Sequence, residues 1–147
     1  MHLAARADLA TIPAPRGPLA QVLLNLLLNA VEHAPADSAV ALDVVATPLG
    51  VACTVRDAGP GIPAERRATL FEPFAPGARG TGLGLAIVRR VCDAHGWTIA
   101  ADDAPGGGTA MTVTIPAPAD ARVPDPPNVP DGAPAPHARA PRALTTH

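Results

Sequence analysis

The sequence predicts an α/β protein, a two-layer sandwich in which helices cover one face of a mixed sheet. Three observations carry this. Apolar residues recur at intervals of three and four between Leu19 and Val31. Two pairs of short apolar runs, 41–47 with 51–57 and 97–101 with 109–115, are each separated by a Pro/Gly-containing turn. A second helical period, Leu83 to His95, lies between the two pairs.

Each element has a local reason. Leu19, Val22, Leu23, Leu26, Leu27, Ala30 and Val31 make one apolar helical face, and Ala34-Pro35 ends that helix, because a residue before proline is pushed out of the helical region. ALDVVAT (41–47) and VACTVRD (51–57) are strands joined through Pro48-Leu49-Gly50. A short helix is expected from Pro63, with proline at its first position, where the missing N–H costs nothing. Gly96 stops the second long helix. WTIAA (97–101) and TAMTVTI (109–115) pair around Pro105-Gly106-Gly107-Gly108. The opening ARADLATI (5–12) is expected as an edge strand. The folded domain spans 1–116. Residues 117–147 are rich in Pro and Ala with almost no large apolar groups, so they cannot offset their ordering entropy and are expected to be a disordered tail.

Composition narrows the function. The 147 residues carry 11 Lys+Arg, all of them arginine, against 13 Asp+Glu. A net charge of −2 gives no basic footprint for nucleic acid or a membrane surface. The apolar stretch Val22 to Val31 is too short to span a bilayer and holds two asparagines. Cys53 and Cys92 are far apart and outside any CxxC pattern, as expected of two buried thiols in a reducing compartment. A soluble, cytoplasmic location is the expectation.

Polar residues sit where a plain core would not put them. Asn25 and Asn29 are four apart, so they lie one turn apart on a stripe that Glu32 continues. They suit either a satisfied polar seam or a site where an asparagine oxygen meets Mg²⁺ and phosphate. DAGPGIP (57–63) places Asp57 at a strand end, followed at once by Gly59 and Gly61. The carboxylate can accept a hydrogen bond from an exocyclic amine, and the bare glycines admit a flat ring; an Asx-type turn before a helix fits the motif equally well. In GARGTGLGLAIV (77–88), Gly80, Gly82 and Gly84 alternate into a helix start, where free backbone N–H groups attract phosphate. Leu83 and Leu85 tie that helix to the core, and Thr81 adds a hydroxyl. Phe71 and Phe74, the only phenylalanines, suit either ordinary core packing or pinning a loop that has Arg79 as its one cation.

Together these stretches resemble the histidine-kinase ATP-binding domain. QVLLNLLLNAVEHAP is similar to its N box, DAGPGIP to its G1 box, LFEPF to its F box, GTGLGLA to its G2 box and GGGT (106–109) to its final glycine box. The superfamily also includes the gyrase B subunit, MutL and a heat-shock chaperone. The resemblance covers about residues 18–116. It implies a Bergerat ATP-binding fold that holds Mg-ATP between helices and a lid. By motif match, Asn29 would be the Mg²⁺ ligand, Asn25 would support the phosphates and Asp57 would read the adenine amine. Gly59, Gly61 and Ile62 would shape the purine pocket. Gly80, Thr81, Gly82, Leu83, Gly84 and Leu85 would cradle phosphates and hinge the lid. Thr109 would close the adenine end. Asn25, Asn29 and Arg79 would be the catalytic set.

Departures from the family pattern qualify the expectation. Glu32 stands where the family often has a basic residue three positions after the second asparagine, leaving Arg79 to serve. Trp97 stands where a second glycine is common. Too few residues precede the N-box-like helix for a helical hairpin, and no histidine lies in an acceptor-box pattern. The resemblance therefore implies an ATP-binding module of a two-component sensor kinase with no phosphoacceptor of its own. The acceptor histidine would lie on a dimerisation domain supplied in trans or by a missing N-terminal part, with a response regulator downstream. A monomer is expected. Two other readings stay open: a degenerate nucleotide-binding module, and a stand-alone serine kinase of the anti-sigma type.

Overall fold

Helix α1 (Arg16–His33) and helix α3 (Gly84–His95) pack side by side against one face of a five-stranded sheet. The computed structural model describes residues 2–7, 12–74 and 82–118. The strands are β1 (His2–Ala7), β2 (Ala39–Thr47), β3 (Gly50–Arg56), β4 (Thr98–Asp103) and β5 (Thr109–Pro116), in the order β1-β2-β3-β5-β4. The β2–β3, β3–β5 and β4–β5 pairs are antiparallel, and β1 runs parallel to β2. A parallel pair needs a long crossover, and α1 supplies it. The sheet is therefore mixed, with its helices on one side, as the sequence predicts.

The edge strand is shifted. It pairs His2 with Ala39 through Ala7 with Val44, so it lies earlier than the expected 5–12. Parallel register against β2 decides this, not local propensity. Residues 8–11 lie outside the described residues, as do 75–81, where the lid was expected, and 119–147, where the disordered segment was expected. Pro63 is the N-cap of the short helix α2 (Ala64–Arg67), one position before the first helical residue. Its extended ψ of 143° places it outside the helix.

The core is aliphatic. Val22, Leu26 and Ala30 of α1 and Val88 and Cys92 of α3 meet Val40 and Val44 of β2, Val51, Cys53 and Val55 of β3, and Met111, Val113 and Ile115 of β5. The expected apolar face of α1 is narrower than its composition. Val31 is 38% exposed, and Leu24 and Leu28 are also exposed. The segment that Phe71 and Phe74 were expected to pin, 75–81, lies outside the described residues. Leu70 packs against the core just before it, while Phe74 is 74% exposed and holds the chain through its backbone N–H, which donates to the Gly82 carbonyl at 3.0 Å. Trp97 is buried, its ring centroid 5.0 Å from that of His95.

Both cysteines are buried free thiols. Burial pushes the Cys92 thiol up to about 11 from 9.0 and raises Cys53 as well. The unfolded chain then loses these protons first. Stability is complete below about pH 9 and falls as pH rises through about 11, by roughly 1–3 kcal/mol. Urea denaturation at intervals from pH 8 to 11 should show that slope. Cys92→Ala should remove part of it, leaving the share of Cys53.

Candidate functional site

The strand end, the first glycine loop and the last glycine turn converge on Asp57. This residue follows β3 and is only 6% exposed. Its backbone N–H donates to the Thr109 carbonyl at 3.0 Å, extending the β3–β5 ladder by one bond. Its Oδ1 accepts from the Gly59 N–H at 2.8 Å and from the Thr109 N–H at 3.4 Å. The Oδ2 atom receives no hydrogen bond from a described residue. A buried carboxylate is costly unless its charge is met, and here two backbone N–H groups meet it at Oδ1.

Two glycines make this packing possible. A Cβ on Gly59 would lie 2.7 Å from the His33 carbonyl oxygen and 2.8 Å from Asp57 Oδ1. A Cβ on Gly108 would lie 2.0 Å from the Asp57 carbonyl oxygen, and Gly108 has φ +94°. Gly59 is thus bare for the sake of α1 and Asp57, and it is not among the residues that line the cavity. The last glycine turn holds the back of Asp57.

Asp57 lines a cavity of about 220 Å³. The same cavity brings together Asn25, Asn29, Gly61, Ile62, Gly82, Gly84, Leu85 and Thr109 from the sequence-derived set. Leu83 is the N-cap of α3 and is not on the wall. Arg79, Gly80 and Thr81 lie outside the described residues. The walls also hold Leu28, Glu32, His33, Pro60, Arg66, Leu70 and Met111. Glu32 and His33 continue the asparagine stripe of α1, so spacing could have found His33. Arg66 had no such signal, because its place depends on how α2 folds back.

The polar groups divide by chemistry. Asn25 Nδ2 donates to the Gln21 carbonyl at 2.8 Å, and its Oδ1 faces Gly84, 3.3 Å from where a Cβ would be. The carboxamide of Asn29 makes no hydrogen bond to a described residue, so its oxygen remains available as a hard ligand. That fits Mg²⁺, which takes few protein oxygens and shares the rest with phosphate and water. Leu83 gives α3 no side-chain cap, so the first N–H groups from Gly84 onward have no helical partner beside the cavity. Such an end attracts an anion. One cavity therefore offers a carboxylate acceptor at one place and unpaired N–H donors with an asparagine oxygen at another.

Known proteins share this fold and sequence pattern. The family described as histidine kinase-, DNA gyrase B- and HSP90-like ATPase matches residues 15–119. The chain is 42% identical over 106 residues to the sensor protein KdpD of Escherichia coli (strain K12), covering 68% of this chain and 12% of that one. It is 41% identical over 114 residues to the sensor histidine kinase ZraS of Klebsiella oxytoca, covering 76% of this chain and 25% of that one. The chain thus spans a quarter or less of the length of these relatives. Among solved structures, the catalytic domain of the histidine kinase ThkA superposes with a TM-score of 0.71 at 30% identity, covering 78% of each chain.

Proposed function

We propose, from the premise that this chain belongs to the histidine kinase-, DNA gyrase B- and HSP90-like ATPase family, that it is the Mg-ATP-binding catalytic module of a sensor histidine kinase. The observation that carries the reading is Asp57. It is a buried carboxylate whose Oδ1 is held by backbone and whose Oδ2 is left to a ligand donor on a cavity wall. The exocyclic amine of adenine is such a donor. Guanine presents a carbonyl oxygen at that position, so Asp57 selects against it.

The module's work is positioning. Asp57, with Gly61, Ile62 and Thr109 around it, orients the base. The unpaired N–H groups at Gly84 and Leu85 hold phosphate oxygens. Mg²⁺, when bound, would be held by Asn29 with phosphate oxygens and would neutralise phosphate charge. An imidazole nitrogen of an acceptor histidine on a separate dimerisation domain then forms a bond to the γ-phosphorus. The bond to the bridging oxygen breaks, ADP leaves, and the imidazole releases its N–H proton. Preorganised charge, not a covalent enzyme intermediate, supplies the rate. Glu32 on the wall favours a second reading, a nucleotide-binding module without transfer. Phosphotransfer to an added acceptor protein separates the two.

Calorimetric titration of ATP into the full chain, with and without Mg²⁺ and with GTP as control, tests the reading. Binding that is selective for ATP and stronger with Mg²⁺ supports it; a folded chain that binds neither nucleotide overturns it. Asn29→Ala should weaken ATP binding only when Mg²⁺ is present, by about tenfold or more. An equal loss in EDTA would remove Asn29 from the metal role.

A further inference from the structure

One cation on the cavity wall belongs to none of the motifs. Arg66 of α2 is half-buried and lines the cavity, and among the described residues it is the only arginine or lysine that does. Its guanidinium makes no hydrogen bond or ion pair to a described residue. The neighbouring arginines are committed. Arg67 donates to Asp103 at 2.6 Å and to the Ile62 carbonyl at 3.2 Å, which ties α2 to the end of β4. Its hydrogen bond with Asp103 raises its pKa. Arg56 pairs with Asp43, and Arg89 with Asp93.

The cavity has a charge problem that Arg66 answers. Its wall carries Asp57, and a nucleoside polyphosphate would bring several more negative charges. The helix end at Gly84 provides only partial positive charge. A guanidinium is weakly hydrated, stays charged when partly buried and matches phosphate oxygens in pairs. Arg67 anchors α2, and that leaves Arg66 on the cavity side of the same short helix.

We infer that Arg66 contacts the polyphosphate of the bound nucleotide and adds a full cationic charge to the partial charge of the helix end at Gly84. This rests on the ATP-binding reading above. The test titrates ATP, ADP and adenosine into the full chain as wild type, Arg66→Gln, Arg66→Lys and Arg90→Gln. Arg90 is an exposed arginine of α3 outside this cavity and serves as the charge control. Arg66→Gln should weaken ATP about tenfold or more and flatten the salt dependence of binding, with adenosine unchanged. Arg66→Lys should recover part of the loss, and Arg90→Gln should match wild type. ATP binding equal to wild type in Arg66→Gln overturns the inference, as does an equal loss for adenosine, which would make Arg66 a packing residue for the base. A wild type that binds neither ATP nor adenosine would instead defeat the nucleotide reading itself.

Discussion

Asp57→Asn should weaken ATP binding by roughly 10- to 150-fold, on the order of 1.5–3 kcal/mol, and leave the domain folded. The two oxygens of Asp57 have separate duties. Oδ1 holds the Gly59 and Thr109 N–H groups, and an asparagine oxygen can take both. The asparagine amino group then replaces Oδ2. It presents a donor to the adenine amine, which is itself a donor, and the charge that strengthened the bond is gone. Calorimetry should show the loss of affinity, and the urea midpoint should stay near that of wild type. Binding as tight as wild type would take adenine recognition away from Asp57. A collapse of the midpoint would make its role structural.

Gly108→Ala should be more damaging to the fold, at about 3 kcal/mol or more, and should remove ATP binding with it. The new Cβ would stand 2.0 Å from the Asp57 carbonyl oxygen, 2.8 Å from its carbon and 2.9 Å from the Ala58 Cα. All three are backbone atoms, so no rotamer change relieves the clash. The end of β3 must move, and Asp57 with it. Gly107→Ala is the control. Gly107 also has a left-handed φ, +100°, but nothing lies within 4 Å of its Cβ position. It should cost only the conformational penalty, about 1–2 kcal/mol. Equal stability of the two variants would show that close approach to Asp57 is unimportant.

Much of the site was legible in the chain because its pieces are local. Asn25 and Asn29 share a helical stripe by spacing alone. DAGPGIP announces a carboxylate at a strand end, and GTGLGLA a glycine-rich helix start. What lay out of reach was long-range. The missing Cβ of Gly59 makes room for the His33 carbonyl, twenty-six residues earlier in the chain. Phe71 and Phe74 stand out in the sequence as its only phenylalanines, while the core contact of Leu70 in the same segment carries no such signal.

The periods of three to four and of two, the prolines and the glycines were enough to set the elements, their order and the layers, since each is a property of neighbouring residues. The same local reading could not set the register of β1 against β2, the meeting of Gly108 with Asp57, or the turning of Arg66 rather than Arg67 toward the cavity. Those depend on distances between segments far apart in the chain. Strand pairing and core packing establish such distances only when the whole sheet closes, and no propensity of a single segment encodes them.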